Sequence, residues 1–307
     1  MLIKEYKNQF IEQLSSIYDV GEVESFFYII LENKHQLKRI DLALNIGLKF
    51  SEAEIETWNE ILEKLKQQIP IQYILGTTSF YDLDFEVNND VLIPRPETEE
   101  LVSWILSNNP ITESTNKPKI LDIGTGSGCI AISLAKNIPN AAVYAIDVSE
   151  KALAIAKKNA STNKVKVTFI QENILKTENF QEKLDIIVSN PPYVRNLEKQ
   201  EINKNVLDYE PHLALFVDDH DALIFYRKIA HLAQKNLSEN GQLYFEINQY
   251  LGNEMVELLQ QMHFKNIEIR KDIYGNDRMI RCVVYKSEIY SYLKASIGSN
   301  FAAFKAG

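Results

Sequence analysis

The chain has 307 residues, 45% of them hydrophobic and 24% charged, with a formal net charge of −9 and a pI near 5.2. That acidic balance speaks against tight sequence-independent binding to nucleic acid, which works by neutralising phosphates, and it suits a protein partner whose contact loop has basic surroundings. The length accommodates one large domain and one small one with full cores, and no apolar run approaches a membrane span.

Residues Met1 to Phe10 include Lys4, Glu5 and Lys7 with no apolar segment, so a signal peptide is not expected and the chain reads as a cytoplasmic enzyme. From Lys4 to about Ile69 the pattern is helical. Tyr6, Phe10, Leu14 and Ile17 form one stripe, Val23, Phe26, Phe27, Ile30 and Leu31 a second, and Ile55, Trp58, Leu62 and Leu65 a third. These predict a small helical bundle over residues 1–70, with Ile69-Pro70 ending the last helix. Thr77 to Phe80 and Leu83 to Val87, separated by Tyr81-Asp82, predict a β-hairpin within a linker over 71–95. Pro94 and Pro96 stiffen the approach to a helix from Glu97 to Leu106, and Arg95 between them is a candidate substrate or loop anchor.

From about Pro118 strands and helices alternate, the pattern of a doubly wound α/β sheet over residues 96–285. Lys119 to Ile123 is a short buried strand that runs into Asp122-Ile123-Gly124-Thr125-Gly126-Ser127-Gly128, and Cys129 to Lys136 then has helical spacing. Glycines at alternate positions let the backbone pass close to a ligand. Their spacing differs from the dinucleotide fingerprint, and Asp122 disfavours a diphosphate. A carboxylate there suits a cofactor with a cationic ammonium end, directly or through water, and S-adenosylmethionine has one.

About 20 residues on, the run Ala141 to Ile146 ends in Asp147, placed to accept from both hydroxyls of a ribose. Ser149, the better helix cap, leaves Asp147 free for that role. Val165 to Ile170 leads to Glu172-Asn173-Ile174, within reach of an adenine. Leu184 to Val188 delivers Asn190-Pro191-Pro192-Tyr193 to the same carboxyl end of the sheet. The Asn190 amide oxygen and the Pro191 carbonyl can accept both hydrogens of one planar NH2 group, the two prolines keep them aimed, and Tyr193 offers a flat face. Runs at Gly241 to Ile247, Asn266 to Arg270 and Met279 to Tyr285 supply the last strands. Cys129 and Cys282 form no metal-type cluster, the five His residues are scattered, and no metal is expected. The tail over 286–307 has no role derivable from its residues.

These motifs, with Gln72-Tyr73-Ile74-Leu75-Gly76, Leu92-Ile93-Pro94-Arg95-Pro96-Glu97-Thr98-Glu99 and Glu210-Pro211-His212-Leu213-Ala214-Leu215, resemble those of HemK-type protein (glutamine) N(5)-methyltransferases. The resemblance runs from the N-terminal helices to about Tyr285. It implies an S-adenosylmethionine-dependent methyltransferase fold: a Rossmann-like, mostly parallel seven-stranded sheet with an antiparallel strand near its end, an N-terminal helical domain that contacts the substrate and a linking hairpin. It implies methyl transfer to the glutamine of the Gly-Gly-Gln motif in class-I peptide-chain release factors, by a monomer that binds neither membrane nor nucleic acid, with S-adenosylhomocysteine as product. Carried over residue by residue, Asp122, Gly124, Thr125, Gly126, Ser127 and Gly128 form the cofactor pocket. Asp147 holds the ribose, and Asn173 and Ile174 flank the adenine. Asn190, Pro191, Pro192 and Tyr193 bind the glutamine, with Asn190 also beside the cofactor. Two positions depart from the family pattern. Asn173 stands where Asp is usual, and Val217 to Leu223 replaces a segment usually richer in glycine, which leaves that loop's conformation open.

An amide nitrogen is a poor nucleophile because its lone pair is delocalised. Two acceptors facing it as it becomes positive, and aiming it at the methyl, supply what proximity alone does not. A related ribosomal-protein glutamine methyltransferase is only weakly separated by sequence. A nucleic-acid adenine methyltransferase, acting on a flipped base, is disfavoured by the acidic charge, the absence of an obvious target-recognition insert and the Pro94 to Glu99 block. A dinucleotide-dependent oxidoreductase is disfavoured by the glycine spacing, and a non-catalytic binding module by the intact Asn190 to Tyr193.

Overall fold

The computed structural model describes residues 1–108, 117–138 and 140–284. The tail 286–307 lies outside the described residues, as does Tyr285, the last residue of the expected final strand.

Five helices open the chain: α1 (Ile3–Leu14), α2 (Val20–His35), α3 (Arg39–Leu44), α4 (Glu52–Lys66) and α5 (Ile71–Leu75). Asp19 caps α2 by accepting from the Gly21 N–H, and Ser51 caps α4 while Glu54 reaches back to the Ser51 backbone. The apolar stripes of α1, α2 and α4 close around Trp58, whose ring meets those of Phe27 at 4.8 Å and Phe50 at 5.1 Å. Ile17 does not join this core. Helix α1 stops at Leu14, where the Ser15 hydroxyl turns back to the Ile11 carbonyl, and Ile17 is left exposed. Pro70 is not the end of the helical pattern either. It takes the N-cap position of α5, Ile71 buries into the same core, and Gly76 at φ 75° ends the helix in the left-handed region.

Strands β1 (Thr77–Phe80) and β2 (Leu83–Glu86) form an antiparallel hairpin across Tyr81 and Asp82, whose φ values of 51° and 58° suit a two-residue turn with the twist of its strands. Phe80 and Phe85 bury against α6 (Pro96–Asn108) rather than in the helical bundle.

The rest of the chain runs β3 (Lys119–Ile123), α7 (Cys129–Asn137), β4 (Ala142–Asp147), α8 (Glu150–Thr162), β5 (Val167–Gln171), β6 (Leu184–Ser189), β7 (Val194–Arg195), α9 (Lys204–Tyr209), α10 (His212–Leu215), β8 (Phe216–Val217), α11 (Ile224–Asn236), β9 (Leu237–Glu246), α12 (Gly252–Gln261), β10 (Lys265–Lys271) and β11 (Asp277–Val283). The main sheet has seven strands in the order β10-β11-β9-β6-β3-β4-β5. Strand β11 alone runs opposite to the other six, so its pairings with β10 and β9 are antiparallel and the rest are parallel. The strands carry near-continuous apolar runs because helices cover both faces. Leu121, Ile187 and Phe245 pack towards α11 and α12, while Ile120, Ile186 and Tyr244 pack towards α6 and α7. The segment Val217 to Leu223 leaves β8 and forms a short 3-10 turn over Asp219–Asp221, capped by Asp218 accepting from the His220 N–H.

The chain starts its sheet at β3, winds outward to β5, and returns as β6 on the other side of β3. Strand order reverses there, so a crevice opens at the carboxyl ends of β3 and β6.

Candidate active site

Ile123 and Ser189 end β3 and β6 in register, and the Ser189 hydroxyl donates to the Ile123 carbonyl at 2.7 Å. Gly124 and Asn190 therefore leave the sheet side by side. The N–H groups of Gly124 and Thr125 donate to the Ile146 carbonyl at 2.9 and 3.1 Å, which folds the glycine loop over the end of β4.

Asp147, half-buried at the end of β4, organises the loop. Its Oδ2 accepts from the Gly126 N–H and its Oδ1 from the Ser149 N–H, each at 2.9 Å. Ser149 itself caps α8 through a bond from the Ala152 N–H. Each Asp147 oxygen keeps lone-pair capacity for an outside donor. Burial pushes this carboxyl above its ordinary range, and the backbone N–H groups pull against that.

Asp122 sits behind the loop with no exposure. Its Oδ2 accepts from the Thr125 hydroxyl at 2.6 Å and the Ala131 N–H at 3.3 Å, while its Oδ1 has no partner among the described residues. Burial lifts the carboxyl to about 7. An orphaned carboxylate oxygen buried in this way calls for a partner that the described residues do not supply.

Together these elements bound a cleft of about 1100 Å³, part of it open to solvent. Gly124, Gly126, Asp147, Asn173, Ile174 and Asn190 line it, with Pro191 and Pro192 beside them. Asp122, Thr125, Ser127 and Gly128, expected at the cofactor, lie outside that lining and shape the loop from behind. Asn173 is not wholly free for a ligand, because its Oδ1 accepts from the Leu175 N–H at 2.9 Å and forms a local turn. Val148, Ile174 and Phe225 contribute apolar surface to the lining, of the kind that suits a flat base.

Three further residues that sequence reading gave no role act here. Asn159 on α8 donates to the Ser127 carbonyl at 2.9 Å and exchanges bonds with the Glu86 backbone, pinning the hairpin to the glycine loop. Thr98, in the first turn of α6, accepts from Asn190 Nδ2 at 3.3 Å and donates to Glu246 Oε2 at 2.6 Å. Glu246, 1% exposed at the end of β9, also accepts from the Tyr193 hydroxyl at 3.0 Å. Tyr193 thus points its hydroxyl to Glu246 and packs its ring on the core beside Tyr226 and Phe245, outside the cleft lining. Arg95 is engaged by the buried Glu210 carboxylate. Thr98 stood within the Pro94 to Glu99 block and Glu246 within a strand run, so position alone offered a signal without its meaning.

Among the described residues there is no group of three or more His, Cys, Asp or Glu able to hold a metal, and no helix long and apolar enough to cross a membrane.

Comparison with known proteins agrees with this arrangement. Residues 97–211 match the methyltransferase small domain and residues 5–76 the PrmC N-terminal domain. The chain is 66% identical to the release factor glutamine methyltransferase of Flavobacterium psychrophilum over 92% of its own length and 99% of that protein. It is 43% identical to the protein of the same name from Bacteroides thetaiotaomicron over 88% of its length and 95% of that protein. A solved methyltransferase from Pyrococcus furiosus, 19% identical with a TM-score of 0.50 over 68% of this chain and 92% of that one, shares the fold. An interlocked glycine loop, a cleft-lining carboxylate at Asp147 and an Asn-Pro-Pro-Tyr strand end on this sheet go with two-thirds identity to a release factor glutamine methyltransferase over nearly all of both lengths: the chain belongs to the release factor glutamine methyltransferase family.

Proposed function

We propose that this enzyme transfers a methyl group from S-adenosylmethionine to the side-chain amide nitrogen of the glutamine in the Gly-Gly-Gln motif of class-I peptide-chain release factors. The observation that carries the reading is Asn190 at the switch point of the sheet, with its NH2 turned to Thr98 and its Oδ1 free of donors among the described residues.

The cofactor supplies an electrophilic methyl on a sulfonium. The donor set fits it: Asp147 has acceptor capacity for ribose hydroxyls, the unpaired Asp122 Oδ1 just behind the lining suits the ammonium through a water, and the apolar lining at Val148, Ile174 and Phe225 suits the adenine. A Cβ at Gly124 or Gly126 meets nothing of the protein within 4 Å, so the loop leaves room for a ligand against its backbone. Asn190 Oδ1 and the Pro191 carbonyl accept the two N–H groups of the glutamine amide, aim its lone pair along the displacement, and face the nitrogen with negative dipoles as positive charge develops. Pro191 and Pro192 hold that geometry with little entropy left to lose. The proton leaves after transfer, so no base of the protein is needed in the first step. A substrate that works in translation puts the reaction in the cytoplasm.

Incubation with labelled S-adenosylmethionine and purified release factor, with ribosomal protein and DNA in parallel, tests the reading. Label on the release factor that disappears when the motif Gln is replaced supports it. Label on ribosomal protein or DNA alone overturns it.

A further inference from the structure

The orientation of the Asn190 amide is decided outside the motif that contains it. A threonine hydroxyl has one hydrogen to give and two lone pairs. The Thr98 hydroxyl lies 2.6 Å from Glu246 Oε2, the length of an O–H bond donated to a carboxylate, so its hydrogen is committed there. Only lone pairs remain towards Asn190, and only an NH2 can meet them, at 3.3 Å. The other Glu246 oxygen takes the hydroxyl of Tyr193 at 3.0 Å. One buried carboxylate therefore holds both ends of Asn190-Pro191-Pro192-Tyr193, from the end of β9 and through the first turn of α6.

We infer that Thr98 and Glu246 are positioning residues for methyl transfer: as a relay, they keep the Asn190 oxygen, and not its NH2, turned towards the substrate nitrogen. This rests on the function proposed above. The final torsion of an asparagine is broad and nearly two-fold, so the two faces of the amide differ little in shape. Reversed, Asn190 sets an NH2 against the substrate NH2, two donors with no acceptor between them. With the relay in place, the reversed amide instead sets its oxygen against the lone pairs of Thr98. Both partners stand on rigid elements, which suits the accuracy that aiming a poor nucleophile requires.

The test compares Thr98→Val, Thr98→Ser and Glu246→Gln with the wild-type enzyme. It measures kcat and KM on purified release factor, S-adenosylmethionine affinity by calorimetry, and the melting temperature. Valine keeps the volume of threonine without its hydroxyl, whereas serine keeps the hydroxyl. Thr98→Val is expected to lower kcat by about 10- to 100-fold, with the KM for release factor and the cofactor affinity within about threefold of wild type. Thr98→Ser is expected to restore most of the rate. Glu246→Gln, which can donate to Thr98 and so free its hydrogen to meet Asn190 Oδ1, is expected to resemble Thr98→Val. If Glu246→Gln does not fold, the valine and serine pair decides alone. Thr98→Val turning over like wild type, or Thr98→Ser as impaired as Thr98→Val, overturns the relay. A folded wild-type enzyme that does not methylate release factor overturns the proposed function instead, so the two failures are distinct.

Discussion

The Arg95 guanidinium meets the Glu210 carboxylate at 2.5 Å across 115 residues of chain, tying the loop before α6 to the segment before α10. Glu210 is buried and also accepts from the Ile93 N–H at 3.3 Å. Leu92 on one side of this link and Pro211 on the other both line the cleft, so the pair ties together two separate segments of its lining.

Removing one partner leaves a buried charge without its counterion. Arg95→Ala is expected to cost about 2–3 kcal/mol of unfolding free energy, below the range for fully buried pairs because the guanidinium is 33% exposed. The double variant Arg95→Met/Glu210→Leu should recover most of that loss. Denaturant titration of the three proteins checks this, and equal stability of Arg95→Ala and wild type contradicts it.

The glycine loop separates folding from binding. Gly128 has φ 84°, and a Cβ there comes within 2.8 Å of Ile132 Cδ1 and 3.2 Å of Ala156 Cβ. Gly126, at φ 55°, faces nothing within 4 Å and lines the cleft. Gly128→Ala should therefore destabilise by about 2–4 kcal/mol from backbone strain and overpacking together. Gly126→Ala should cost only about 1–2 kcal/mol but weaken S-adenosylmethionine binding, because its Cβ would enter the part of the cleft proposed for the cofactor. Thermal melts paired with binding isotherms separate the two; similar losses of both quantities in both variants contradict the assignment.

With the ammonium held near Asp122 as proposed, cofactor binding should depend on pH. Burial lifts its carboxyl to about 7, so below that pH the free protein holds it mostly protonated. An ammonium brought beside it favours the carboxylate, so binding expels a proton wherever the free site still carries one. Affinity for S-adenosylmethionine should thus rise with pH up to about 7 and level off above it, with Asp147, also raised, contributing in the same direction. Asp122→Asn should flatten much of that rise. Calorimetry across the range checks it, and an affinity that falls with rising pH contradicts it.

The parts of the site that were legible in sequence are those whose signal is local. An apolar run ending in Asp122, alternate glycines, and a second run ending in Asp147 describe a strand, a loop and a strand end without reference to anything distant, and the sheet places them as that reading expected. Ser149 as the cap of α8 was legible for the same reason. Thr98 and Glu246 were not. Their bonds to each other and to Asn190 cross 148 and 92 residues, and no periodicity encodes which strand end will face which helix. Asn159, buried by contacts to Glu86 across 73 residues, was hidden in the same way. Pro70 misled for a different reason. Proline stops a helix that precedes it, yet it can also stand at the cap of a new one, as it does before α5.

The most direct test of Asn190 as the group that grips the substrate amide is mass spectrometry of release factor after incubation with S-adenosylmethionine and either wild-type or Asn190→Ala enzyme, with cofactor affinity measured in parallel. The wild-type enzyme should add a single methyl to the glutamine of the Gly-Gly-Gln motif. Asn190→Ala should slow this by more than about 100-fold while binding S-adenosylmethionine nearly as well. Methylation of the same glutamine by Asn190→Ala at close to the wild-type rate contradicts the mechanism.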